Sequence, residues 1–205
     1  MLSLGRHLRR SALEALCRLD AAGLAPGTLA LNVAASELKE SGFAAALAAE
    51  LGAFSVPPER IEVEVTENAL LDRESDKITA SLRELRRLGF TIALDNFGTD
   101  YASLTHLRRV PIDRLKIDRS IIQDIGVDAD EAVTVRSIIN LAHTLGMTVV
   151  AEGVETAEQL AFVRLHGCDF AQGHHLSEPL PPAAVEAYLA QRSMASRPEL
   201  SLPQR

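Results

Sequence analysis

Short aliphatic runs alternate along the chain with longer stretches in which apolar residues recur every three or four positions. Leu4 to Ala22 has the helical spacing, closes at Gly23, and is followed by a Pro26-Gly27 turn. Thr28 to Val33 is a brief apolar run and reads as a buried strand. Ser36 to Leu51 returns to a helical pattern and ends near Gly52. Pro57-Pro58 then breaks the chain before a second strand at Arg60 to Thr66. From Asp72 to Leu88 the apolar positions Ile78, Leu82, Leu85 and Leu88 predict a helix, with Gly89 just beyond it. The remaining strands fall at Phe90 to Leu94, Arg114 to Ile117, Met147 to Ala151 and Cys168 to Ala171. The remaining helices fall at Asp130 to Leu145, Thr156 to His166 and from Pro182 to about Gln191.

Strands that alternate strictly with helices imply a parallel sheet, because a parallel pair needs a long crossover between its members. The fold class is therefore α/β, with about six parallel strands, and the pattern alone fits both a doubly wound sheet and a barrel. No Gly-x-Gly-x-x-Gly follows any strand, which weakens the dinucleotide-binding version of the first.

A chain of 205 residues suits one domain, expected over residues 1–192, with a polar, twice proline-interrupted tail at 193–205 expected to be disordered. The formal charge of -7 argues against a phosphate-driven polymer interface, so no nucleic-acid polymer is expected as partner. Cys17 and Cys168 stand far apart, in no metal-type spacing. No apolar run reaches the length of a membrane span, and Arg6, Arg9 and Arg10 precede no secretory apolar core. A cytoplasmic location is the expectation.

Chemistry concentrates where the aliphatic runs end. The first run ends in Asn32, the second in Glu64 and then Glu67, and the third in Asp95 and Asn96. The fourth gives Lys116 and Asp118, the fifth Glu152 and Glu155, and the sixth Gln172. In barrels and open α/β sheets alike, the carboxyl ends of the strands face the ligand. Taken singly, each residue has a plain structural explanation, since Asp and Asn commonly end a strand in a turn and Glu152 could cap the next helix. As a set they are harder to explain that way. Several carboxylates converging at buried strand ends repel one another unless a cation lies among them. Asn, Glu and Asp offer hard oxygen ligands suited to magnesium or manganese, and a nearby lysine can polarise a water. Two such metals could clamp both oxygens of an in-line phosphodiester displacement. The adjacent His174-His175 is a weak metal candidate, because neighbours in an extended segment point opposite ways.

Five segments, in order, resemble the EAL-domain family: Glu-Val-Thr-Glu at 64–67, Asp-Asn-Phe-Gly-Thr at 95–99, Leu-Lys-Ile-Asp-Arg-Ser at 115–120, Ala-Glu-Gly-Val-Glu-Thr at 151–156 and Gln172-Gly173. Leu-Asn-Val at 31–33 resembles a further family segment, and the likeness covers about Leu2 to Leu189. The resemblance implies a TIM-barrel-like (β/α) fold and metal-dependent hydrolysis of cyclic di-GMP. It implies that Asn32, Glu64 and Asp95 ligate a Mg2+ or Mn2+ ion and that Asn96 stands at the second metal. It implies further that Lys116 touches the attacking water, that Glu152 serves as ligand or base, and that Gln172 orders the site. Glu67 would steady the loop from Asp95 to Tyr101, which also shapes a possible homodimer contact.

The sequence departs from the pattern in places. Glu14-Ala15-Leu16 spells the family's namesake motif by accident, inside a helix, and the strand that carries the real motif is expected to be missing with its neighbour. A carboxylate ligand and a phosphate-gripping arginine would go with them. Asn96 replaces a charged ligand, Asp100 stands where the family prefers glycine, and His174 replaces an aromatic residue. Three readings follow: a phosphodiesterase of weak or absent activity, a non-catalytic module binding cyclic di-GMP or a protein, and a chain whose true start lies upstream. Without those two strands, exposed sheet edges open to pairing with another chain are expected.

Overall fold

The computed structural model describes residues 2–24, 26–98, 104–125 and 129–195. In chain order it holds helix α1 (Leu2–Ala21), strand β1 (Leu29–Asn32), helices α2 (Ala35–Leu38) and α3 (Phe43–Gly52), and a 3₁₀ turn at Pro58–Arg60. Strand β2 (Ile61–Thr66), helices α4 (Glu67–Leu70) and α5 (Ser75–Arg87) and strand β3 (Thr91–Phe97) follow. The second half holds α6 (Leu104–Arg109), β4 (Arg114–Ile117), α7 (Arg119–Gln123), α8 (Ala129–Thr144), β5 (Thr148–Ala151), α9 (Ala157–Leu165), β6 (Phe170–Ala171) and α10 (Pro182–Ala195). All five strand pairs are parallel, in the order β1-β2-β3-β4-β5-β6. A doubly wound sheet reverses direction at a switch point. This one never does, so it curls one way, as part of a barrel.

Side chains alternate across a strand, and here the two faces differ in kind. Leu31, Ile61, Val63, Val65, Ile92, Leu94, Leu115, Ile117, Val149 and Ala151 are buried in one apolar cluster with α3, α5 and α8. Each fully buried aliphatic side chain contributes roughly 1.5–3 kcal/mol relative to exposure, so this outer face holds the fold together. The inner face carries Glu62, Glu64, Asp95, Arg114, Lys116 and Glu152, whose side chains pair with one another. Small Ala93 lies on this face in register between Glu64 and Arg114, and leaves the lane from β4 to β2 clear.

Several boundaries differ from the sequence pattern. The helix expected at Ser36 to Leu51 is two helices, because Gly42 adopts a left-handed φ of 79° at the cap of α3. Strand β3 runs past Leu94 to Phe97, with a register shift between them and Asn96 at φ 56°. Asp95 and Asn96 thus lie inside the strand, where the irregularity re-aims them. Strand β6 is only two residues long, so Gln172 stands just beyond it. Helix α10 continues through 193–195, and residues 196–205 lie outside the described ones. Strands β1 and β6 are the edges of the described sheet and do not pair. Among the described residues, no helix is long and apolar enough to cross a membrane.

Candidate functional site at the carboxyl ends of the strands

Lys116 stands at the centre. Its Nζ lies 2.6 Å from Glu64 Oε1 on β2, 2.7 Å from Glu152 Oε1 after β5 and 3.2 Å from Asp95 Oδ1 on β3. Burial alone would depress the lysine pKa, but the hydrogen bonds to Glu152 and Glu64 outweigh it and hold the ammonium above the usual lysine value. Glu152 takes the opposite balance: burial raises its carboxyl pKa, and the bond from Lys116 only partly offsets that. One ammonium faces three carboxylates, which leaves two negative charges in excess. Asp95 Oδ1 is buried and makes no hydrogen bond, although Lys116 Nζ is within ion-pair distance.

The other residues marked by the sequence surround this centre. Asn32 ends β1 in register with Glu64. Glu67 is almost fully buried, and its Oε2 accepts the Gly98 N–H at 3.0 Å, tying α4 to the end of β3. Asn96, Glu152 and Gln172 line one open cleft of about 410 Å³ together with Arg119 and Glu178. Gly173 presses against the Val154 backbone so closely that a Cβ there would collide with it. That contact holds Gln172 beside Glu152, with the Gln172 N–H bonded to Ala151 O and the Val154 N–H to Gln172 O. Glu152 does not cap the following helix; Thr156 does, with Gln159 reaching back to its N–H. Asp118 caps α7 by accepting the Ser120 N–H at 2.8 Å, so its carboxylate has a structural task. Asp100 and the last part of the loop with the expected dimer contact, residues 99–101, lie outside the described residues.

Three carboxylates and an asparagine at one mouth form a hard-oxygen donor set, and the Asp95 oxygen that makes no hydrogen bond could contribute to holding a cation. Among the described residues, no three His, Cys, Asp or Glu side chains already enclose a metal position. Lys116 draws those carboxylates onto itself. The donor chemistry fits a hard divalent ion, and its entry would require Lys116 to share its partners.

Some features were not singled out from the sequence. Arg119, Ser177, Glu178 and Pro179 line the cleft but end no aliphatic run. The Glu62–Arg114 pair, 2.5 Å long, lies on the inner face one layer below Lys116. Its signal was the period-two spacing of Glu62 with Glu64 and of Arg114 with Lys116. His143, with no sequence partner, sits 2.9 Å from Asp169 Oδ2.

Comparison with known proteins identifies the family. The chain is 41% identical over 196 residues to the cyclic di-GMP phosphodiesterase NbdA of Pseudomonas aeruginosa, covering 95% of this chain and 25% of that protein. It therefore spans about a quarter of the length of that curated relative. The crystal structure of the EAL domain of Mycobacterium smegmatis DcpA superposes with a TM-score of 0.87 at 34% identity, over 92% of this chain and 84% of that one. Klebsiella pneumoniae BlrP1, solved with manganese and cyclic di-GMP, gives a TM-score of 0.76 at 28% identity over 83% of this chain and 43% of that one. Residues 1–179 match the EAL domain, and the chain belongs to that family.

Proposed function

We propose that this EAL domain binds cyclic di-GMP in the cleft beside Glu152 and Gln172 and serves bacterial second-messenger signalling, with Mg2+ or Mn2+ as the cofactor of a slow phosphodiester hydrolysis. The carrying observation is the charge imbalance around Lys116, with its unbonded Asp95 oxygen. Solved relatives support the ligand, since BlrP1 was crystallised with manganese and cyclic di-GMP. The free thiols Cys17 and Cys168 suit a reducing, cytoplasmic setting.

Asn32, Glu64 and Asp95 would hold the metal, with Asn96 beside a second one. When bound, the metal supplies Lewis acidity at a phosphoryl oxygen and makes water a stronger nucleophile. Glu152 accepts a proton from the attacking water, a role suited to a carboxylate whose pKa burial has raised. Water oxygen bonds to phosphorus, the bond from phosphorus to the ribose oxygen breaks, and that oxygen leaves as a hydroxyl by taking up a proton. Opening one of the two diesters gives a linear dinucleotide. Lys116 orients the water and keeps Glu64 and Glu152 in place. Gln172 fixes the cleft wall, and Glu67 fixes the Gly98 backbone.

Asn96 offers a neutral oxygen where the resemblance calls for a carboxylate, so these 205 residues alone are expected to turn over slowly. The same substitution favours a second reading, binding without hydrolysis. Calorimetry with cyclic di-GMP and a Mn2+-supplemented hydrolysis assay separate the two. Binding with a rate well below about 1 per second is the expected result, and Asn96→Asp should raise the rate. An ordinary enzymatic rate refutes the slow reading, and absence of nucleotide binding refutes both.

A further inference from the structure

We infer that Arg9 and Glu37 form a buried clamp that positions Asn32, and that the clamp sets how tightly the mouth of the sheet holds a divalent cation. The inference rests on Asn32 being a ligand, as proposed above.

Asn32 is the last residue of an edge strand. Its strand is paired on one side only, through β2, with the Val33 N–H bonded to Glu64 O at 2.9 Å. What the chain does next decides where Asn32 sits. It turns at once into α2, a helix of four residues whose N-cap is Ala34. Alanine has no oxygen with which to cap a helix, so the turn lacks the usual side-chain lock. Glu37 supplies one from the other direction, its Oε2 accepting the Ala34 N–H at 3.3 Å.

Glu37 is itself buried, and a buried carboxylate keeps its place only if it is paired. Arg9 on α1 donates from Nη1 to Glu37 Oε1 at 2.7 Å. Arg9 is also buried, with its guanidinium over the Phe43 ring at 5.8 Å and Nε 3.5 Å from Glu50 Oε2. Arg9 Nε makes no hydrogen bond, so Glu37 is the one side chain to which the guanidinium is firmly bonded among the described residues. The path from α1 to Asn32 thus runs through Arg9, Glu37 and the Ala34 N–H. Gly5 leaves room for it: a Cβ there would stand 3.0 Å from Glu37 Oε1 and 3.4 Å from Arg9 Nη1.

Groups that orient a metal ligand typically change metal affinity 10- to 100-fold when removed. A purely structural ion pair would lower the melting temperature and leave the affinity of the folded protein alone. Two variants separate these roles. Arg9→Met strands Glu37 and frees Ala34. Gly5→Ala keeps both charges and improves helix propensity, yet presses on Glu37 Oε1, which must give by a few tenths of an ångström. The experiment is Mn2+ titration calorimetry on the purified chain well below its melting temperature, with thermal melts alongside. Expected are a Mn2+ dissociation constant about tenfold or more higher for folded Arg9→Met, and weaker Mn2+ binding by Gly5→Ala with an unchanged or higher melting temperature. If the unsubstituted chain takes no Mn2+, the reading of the site fails and the clamp with it. If it binds Mn2+ and folded Gly5→Ala binds equally well, the clamp alone is overturned, whether or not Arg9→Met folds.

Discussion

Two ionic contacts cross the inside of the sheet from β4 to β2, and they are built alike up to a point. Arg114 and Lys116 stand two residues apart on one strand and reach Glu62 and Glu64, two residues apart on the other. The lower contact is balanced. Arg114 pairs with one carboxylate, donates from Nε to Thr148 Oγ1 at 3.2 Å and lies over the Phe170 ring at 4.5 Å. The upper contact is not: Lys116 serves three carboxylates, and one of their oxygens has no hydrogen bond. The lower lies toward the amino ends of the strands and the upper at the carboxyl ends, where this architecture binds its ligands. Buried charge is therefore common to a stabilising pair and to a site. An excess of carboxylates over cations, beside a cleft that Glu152 lines, is what separates them.

Removing the cation from each layer should give the largest difference. Lys116→Met leaves Glu64, Asp95 and Glu152 facing one another and is expected to cost about 3–5 kcal/mol. Arg114→Met strands a single carboxylate in a layer that solvent partly reaches, with an expected cost of about 1–3 kcal/mol. Saturating Mn2+ should restore much of the melting temperature of Lys116→Met, because a divalent ion can stand where the ammonium stood, and none of that of Arg114→Met. Equal rescue of both variants in thermal melts would erase the distinction between the layers.

A smaller effect of opposite sign is expected at Asp95. Asp95→Asn removes one of the excess negative charges, so the metal-free protein should gain about 0.5–2 kcal/mol of stability, as happens when a strained site is relaxed. Its Mn2+ affinity should fall in the same samples. Urea unfolding with and without Mn2+ reads both quantities, and a variant that loses stability without metal would mean that Asp95 is already fully compensated.

Much of this arrangement was legible in the chain. Six aliphatic runs became six strands, because a parallel sheet buried on its outer face needs apolar residues whatever surrounds it. Glu64, Asp95, Lys116 and Glu152 come together because each stands near the carboxyl end of a strand in one continuous parallel sheet. Other features had no local signature. Apolar spacing persists across Gly42, so only its backbone angle marks the break between α2 and α3. The extension of β3 through Asn96 depends on pairing with β4. The Arg9–Glu37 contact joins residues 28 positions apart, which no periodicity reports. Glu62 and Arg114 carry the period-two signal of Glu64 and Lys116, but they stand near the amino ends of their strands, away from the mouth.

The smallest expected effect concerns protons, and it tests whether the lower layer is as balanced as its geometry suggests. Burial raises the Glu62 carboxyl pKa above the ordinary glutamate value, and Arg114 only partly offsets this. The folded protein therefore holds that proton more tightly than the unfolded chain does. Between the ordinary value and the raised one, the native state binds more protons, so stability falls as pH rises through that interval. Below the interval both states are protonated and above it both are ionised, so Glu62 contributes no slope on either side. One proton contributes at most about 1.4 kcal/mol per pH unit, and a shift opposed by Arg114 delivers a fraction of that. Glu62→Gln removes the titrating group while keeping its shape and an oxygen for Arg114. Unfolding free energies measured at closely spaced pH values should show a shallower decline above the ordinary glutamate range for Glu62→Gln than for the unsubstituted chain. An unchanged decline would show that Arg114 compensates the burial of Glu62 in full, and a steeper one would mean that the pair stabilises the ionised carboxylate.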